Sequence, residues 1–129
     1  MRYLTKKQIN YAAKRGEKAA IKCSIRHWKE LREASLEDLK NWDSSGATII
    51  VGHSACALCR RHSTSQYDDT CVDCNACSLG RKLGSCGVSE CNPYRKADRV
   101  YNQYFKSWKL RRKWQRACDR MIKVLESLL

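Results

Sequence analysis

Glu17-Lys-Ala-Ala-Ile21-Lys-Cys-Ser-Ile25-Arg-His-Trp28-Lys-Glu-Leu31 is the stretch that decides the fold class. Ile21, Ile25, Trp28 and Leu31 recur at steps of four, three and three, with Lys22, Arg26, Lys29 and Arg32 on other faces. That is the period of an amphipathic helix. Ser35-Leu36-Glu37-Asp38 restarts or continues it and carries Leu36, Leu39 and Trp42 to an end near Asp43, which predicts one long helix, or two in line, across 17–42. Upstream, Thr5-Lys6-Lys7-Gln8 has the spacing of a capping box, and Gly16 is placed to end or kink the short helix it starts.

Working towards the C-terminus, Asp43-Ser44-Ser45-Gly46 is a turn signal, and Ala47 to Gly52 is short and β-branched, which predicts a short strand or an extended buried segment. Asn92-Pro93 reads as a helix N-cap with proline at the first helical position. Ala97, Tyr101, Tyr104 and Trp108 make one apolar stripe; Leu110, Trp114, Ala117, Met121, Leu125 and Leu128 make a second. The switch near Lys109 marks a bend or a second helix, but no Pro or Gly interrupts 94–129, so the expectation is a mostly continuous helical arm. The predicted architecture is mainly α: one domain over 1–129, with basic N-terminal helices (1–43), a cysteine-rich zinc-binding loop module (44–92) and a long basic C-terminal helix (93–129).

The middle segment lacks the side chains for a core of its own and holds seven of the nine cysteines. Cys56-Ala57-Leu58-Cys59 and Cys74-Asn75-Ala76-Cys77 are two Cys-x-x-Cys pairs separated by fourteen residues. A two-residue gap lets a tight turn aim both sulfurs at one ion, and two such turns give tetrahedral sulfur coordination at ~2.3 Å. The expected ligands of one zinc ion are therefore Cys56, Cys59, Cys74 and Cys77. Cys71, Cys86, Cys91, His53 and His62 are candidates for a second ion, or loop residues. An iron–sulfur cluster is disfavoured, because after Cys71-x-x-Cys74-x-x-Cys77 the next cysteine lies nine residues on. Cys23 and Cys118, on helices and away from any partner cysteine, are expected to be buried structural thiols.

Leu, Ile, Val and Phe make up only 23 of 129 residues and the formal charge is +13, a composition that without further help favours disorder. Four Trp, six Tyr and a metal site supply what the aliphatic residues do not. The first residues, Met1 to Lys7, hold no apolar stretch suited to a signal peptide, and the longest aliphatic run, Ala47 to Gly52, is far short of the ~20 residues of a membrane-spanning helix. The expectation is a reducing cytoplasm, where clustered cysteines are metal ligands more often than disulfides.

Cys56-Ala-Leu-Cys59, Cys74-Asn-Ala-Cys77-Ser-Leu79, a further Cys and then Pro93-Tyr94 opening a helix with Met121-Ile122 and Leu125 near its end resembles small cysteine-rich proteins of tailed bacteriophages. Their function is generally unassigned. In that pattern Pro follows the second pair, where this chain has Ser78, and the spacing before Pro-Tyr differs. The resemblance implies a phage product acting in the host bacterial cytoplasm, in host takeover or counter-defence, and no particular activity.

Catalysis is not expected. Neither a His-x-Glu nor a Cys-x-Glu exists in the chain, neither Cys-x-x-Cys follows a proline as in zinc deaminases, and His-Glu-x-x-His and phosphate-binding glycine loops are absent. His27, His53 and His62 are too few for a His–Asn–His nuclease.

Charge is unevenly spread. Residues 1–33 carry ten Lys or Arg against three acids and 92–129 eleven against three, while 53–91 is balanced at four each. Lys106, Lys109, Arg111, Arg112, Lys113 and Arg116 share eleven residues with two Trp and no acid. Such a run by itself is an ordinary solvated face, but Lys22, Arg26 and Lys29 repeat the pattern near the other end. These nine residues are the expected contacts to nucleic acid or a nucleoprotein complex, through phosphates more than bases, with zinc as the cofactor and no membrane partner. The alternative is a phage inhibitor protein that docks on an acidic surface of a host machine, such as RNA polymerase or a defence nuclease of the CRISPR type.

Overall fold

Helix α1 spans Lys6–Arg15 and starts with the reciprocal cap its sequence predicts: the Thr5 hydroxyl accepts from the Gln8 N–H at 3.3 Å, and the Gln8 side chain accepts from the Thr5 N–H at 2.9 Å. It stops at Gly16, whose φ of +149° lies in a region that L side chains rarely adopt, and α2 (Glu17–Glu33) begins at once. In this computed structural model the described residues are 3–42, 49–51, 56–62, 78–83 and 93–129. They are mainly helical, and the remaining α-helices are α3 (Leu36–Lys40), α4 (Ala57–Arg61), α5 (Ser78–Leu83), α6 (Pro93–Tyr104) and α7 (Arg111–Glu126). None is long and apolar enough to cross a membrane.

Of the two arrangements expected across 17–42, one long helix or two, the chain forms two. Ala34 is extended (φ −60°, ψ 139°), and the Ser35 hydroxyl starts α3 by accepting from the Asp38 N–H at 3.1 Å. With no glycine cap, α2 leaves its last carbonyls open, and the first turn of α7 closes them. Trp114 Nε1 donates to the Leu31 carbonyl (3.1 Å), Gln115 Nε2 to that of Arg32 (3.4 Å), and the Arg111 guanidinium to those of Glu33 (3.5 Å) and Ala34 (3.4 Å). The negative end of one helix dipole thus meets the positive end of another and a guanidinium.

The expected continuous C-terminal arm is a hairpin. Hydrogen bonding tightens to three-residue spacing at Lys106 and Ser107, Ser107 is extended, and a 3₁₀ turn over Trp108–Leu110 leads into α7. The two apolar stripes explain the fold-back: Tyr101 and Tyr104 from α6 and Trp114 from α7 bury against one another, with ring centroids 5.2 and 6.4 Å from Trp114. A straight helix would leave them in water. Trp108, expected in the first stripe, is instead 71% exposed, because the break at Ser107 takes it off the row of Ala97, Tyr101 and Tyr104.

Helix α2 is central. It packs against α7 on one side and against α1 and α4 on the other. A single cluster joins Trp28, Leu31, Trp114, Met121 and Leu125 to Leu4, Ile9, Leu39, Ile49, Leu58 and Leu79, so the cysteine segment contributes to the main core as well as hanging from it. Pro93 opens α6 as predicted, while Asn92 and the turn at 43–46 lie outside the described residues. Of the short strand or extended buried segment expected over 47–52, the described part is not strand: Ile49 is irregular and buried, Ile50 and Val51 form a bend and are partly buried, and Ala47, Thr48 and Gly52 lie outside the described residues.

Candidate functional site

Cys56 and Cys59 flank the start of α4 and are both buried, at 4% and 6% exposure. The Cys56 sulfur receives hydrogen bonds from the Cys59 thiol first of all, then from the Cys59 N–H, the Ser24 hydroxyl (3.6 Å) and the Leu58 N–H. Against the cost of burial these hold its thiol down to about 6. The Cys56 and Cys59 side chains thus lie within hydrogen-bonding reach of each other. Cys74 and Cys77, together with Cys71, Cys86, Cys91 and His53, lie outside the described residues. Among the described residues no group of three or more His, Cys, Asp or Glu is gathered as a metal site.

Cys23 is not remote from other cysteines as expected. It is half-buried on α2, and its thiol is pushed up to about 11, by burial first and then by the neighbouring Cys56 charge. Cys118 is fully buried, and burial raises its thiol far out of the reactive range. Neither is in a disulfide.

His62, a candidate ligand, is occupied by a carboxylate. Its Nε2 lies 2.7 Å from Glu17 Oε2, which also takes Arg61 Nε at 3.2 Å. Glu17 Oε1 accepts from the Ser78 N–H (3.1 Å) and hydroxyl (2.6 Å), so one residue at the head of α2 ties down the end of α4 and the start of α5. Burial pushes the Glu17 carboxyl up, but the Ser78 and His62 hydrogen bonds and the His62 charge outweigh it and hold the group near 2. Arg60 to Asn10 (2.9 Å) and Arg61 to the Ala13 carbonyl (2.9 Å) fasten α4 to α1. The first Cys-x-x-Cys pair is thus held on a fixed frame, with α4 beginning right after Cys56, while α5 begins at Ser78, the residue that follows Cys77 in the sequence.

The basic residues separate into two groups. Arg111 is half-buried and committed to the fold, since it bonds the Tyr104 hydroxyl (3.1 Å) as well as the end of α2. Lys106, Lys109, Arg112, Lys113 and Arg116 are exposed around the hairpin and along α7. Lys113 and Arg116 line a groove of 210 Å³ between α6 and α7, together with Lys96, Arg120, Val100 and Ala117. Four cations and no acid surround an apolar floor. The helices run antiparallel, with Lys113 reaching Gln103 (3.4 Å) near the turn and Lys96 opposite Arg120 at the far end. Lys22, Arg26 and Lys29 are exposed on α2, Arg26 is paired with Glu30 (2.8 Å), and none of the three lines the groove.

Lys96 and Arg120 are not among the expected contacts. Arg120 is legible in the sequence, since it follows Arg116 by four residues on one helix face, whereas only the antiparallel pairing of α6 and α7 makes Lys96 a neighbour of Arg116 and Arg120. No family model, no curated protein and no solved structure matches the chain.

Proposed function

We propose that this chain is a non-catalytic zinc-binding protein whose C-terminal helical hairpin holds nucleic acid, free or in a nucleoprotein complex, by its phosphates. The observation that carries the reading is the groove between α6 and α7, where Lys96, Lys113, Arg116 and Arg120 face one opening without an acid among them. A single sign of charge over low-dielectric walls concentrates polyanions, and the released counterions drive binding.

Zinc belongs to the same proposal. Cys56 and Cys59 present two buried, hydrogen-bonded sulfurs, a soft donor pair suited to zinc, and Cys74 and Cys77 complete the set of four. Bound there, the ion supplies folding free energy to a segment poor in apolar side chains. Its role is structural, consistent with a sulfur set that leaves no open position. On the strength of the cysteine spacing that resembles small phage proteins, the proposed setting is a bacterial cytoplasm.

A salt titration of binding to DNA and RNA tests the reading: affinity should fall steeply between low and physiological salt. Absence of binding at low salt overturns it, and a host partner retained after nuclease treatment would point to the inhibitor reading instead.

A further inference from the structure

Trp108 is the most exposed large ring among the described residues and stands next to a cluster of cations; Tyr11, at 64%, is the other exposed ring, and its face is already covered by Arg15 at 5.7 Å. Trp108 is 71% exposed, whereas Trp28 and Trp114 are buried at 2% and 0%. Lys106, Lys109 and Arg112, all exposed, surround it in sequence, and from Phe105 to Cys118 the chain carries no acid. Trp108 lies in the turn that joins α6 to α7, so the groove between those helices leads away from it. From Lys113 to Arg120 the α7 row of cations runs seven residues, about 10 Å along the axis.

An exposed indole next to a row of like charges has two complementary needs, a flat apolar partner and a series of anions. Single-stranded nucleic acid supplies both in one molecule, because its unpaired bases offer free π-faces while its phosphates repeat along the strand. A duplex hides those faces in its own stacking. An acidic protein surface would answer the charge but gives the ring no comparable partner at each step.

We infer that the hairpin is a single-strand binding element, in which Trp108 stacks on an unpaired base at the turn while Lys113, Arg116, Lys96 and Arg120 track the adjoining phosphates in the groove. This rests on the nucleic-acid reading and narrows it to strands with unpaired bases. Lys106, Lys109 and Arg112 hold the strand at the turn.

The test uses the full-length zinc-loaded protein, an oligothymidylate of about 12 nucleotides, within the range of site sizes for such proteins, and a duplex of equal length. Intrinsic fluorescence reads the stacking by difference from Trp108→Phe, because Trp108 is the most exposed of the four Trp, with Trp42 partly buried and Trp28 and Trp114 buried. The single strand should quench the Trp108 emission and bind more tightly than the duplex. Trp108→Ala should weaken single-strand binding roughly 5- to 150-fold and leave duplex binding and the melting temperature unchanged, while Trp108→Phe should retain most of the affinity. If Trp108→Ala binds the single strand as well as the parent does, or if the duplex is preferred, this inference is wrong and the phosphate-binding reading survives. If the parent binds neither nucleic acid at low salt, both fall together.

Discussion

The Trp114 indole N–H donates to the Leu31 carbonyl at 3.1 Å, inside the core and across 83 residues of sequence. One side chain therefore does two separate things. Its ring fills the space between α2, α6 and α7 against Trp28, Tyr101 and Tyr104, and its nitrogen satisfies a carbonyl that α2 leaves open. Trp114→Ala should cost about 3–5 kcal/mol, as large-to-small changes at buried aromatics do. Trp114→Phe should fall between, since it keeps most of the packing and strands the Leu31 carbonyl. Denaturant unfolding of the two variants separates ring from hydrogen bond, and equal losses would show that the nitrogen contributes nothing.

Arg111 and its basic neighbours should behave as opposites. Arg111→Ala removes the donors to Glu33, Ala34 and Tyr104 and should destabilise by about 1–3 kcal/mol. Changing Arg112, Lys113 and Arg116 together to Gln should leave the melting temperature nearly unaltered. Single-strand affinity should drop, and its salt slope should decrease by about 2, from about 0.7 per phosphate contact. A triple variant that melts like Arg111→Ala would mean the exposed cations are structural too.

Gly16 should resist substitution despite open space around it. Nothing lies within 4 Å of where a Cβ would sit, so the cost is conformational: φ of +149° is accessible to glycine alone. Gly16→Ala should destabilise by about 1–3 kcal/mol. Unchanged stability would show that the junction of α1 and α2 can relax.

His27 sets a pH dependence. It is fully buried, its Nε2 lies 3.0 Å from the Ile50 carbonyl and so carries the hydrogen, and its Nδ1 has no partner among the described residues. Burial first, only partly offset by the Ile50 carbonyl, lowers its pKa from 6.5 to about 4. The unfolded chain binds that proton more readily, so this contribution is intact above pH 6.5 and is lost as pH falls towards 4. The full loss is on the order of 3 kcal/mol. Stability measured between pH 7 and 4.5 should fall for the parent and change less for His27→Gln; parallel curves would rule out His27 as the source.

Metal dependence gives the remaining prediction. Purified protein should be colourless with one zinc per chain, and Cys56→Ser or Cys77→Ser should lose the zinc and the cooperative unfolding transition. A cysteine variant that keeps both would remove Cys56, Cys59, Cys74 and Cys77 as the ligand set.

How much of this could be read from the chain differs by element. The Thr5–Gln8 cap, the stop at Gly16 and the apolar row of α2 depend on neighbours within one or two turns, and all three are where local spacing puts them. The sulfur pair at Cys56 and Cys59 is equally local. The break at Ala34 and the hairpin at Phe105 to Ser107 depend on long-range closure: α2 ends where side chains of α7 take over its carbonyls, and the C-terminal arm turns back because Tyr101, Tyr104 and Trp114 share one core. The sequence marks both junctions, by the cap residue Ser35 and by the change of apolar stripe near Lys109, but periodicity does not say that the chain breaks or folds back there. The same limit misplaced Trp108 in the core and hid Lys96 from the groove.

The capping of α2 by Arg111, Trp114 and Gln115 also bears on the order in which the chain acquires its structure. A helix whose last carbonyls are completed only by residues some eighty positions later cannot mature during synthesis of the N-terminal half. Closing so long a loop carries an entropic penalty that grows with the logarithm of its length, and contacts of this kind slow folding. On the proposed zinc reading, an ion gathering Cys56 to Cys77 would shorten that loop before the two ends meet. Metal loading would then be a kinetic aid as well as a source of stability, and chain stopped short of Arg111 should emerge with the end of α2 still frayed.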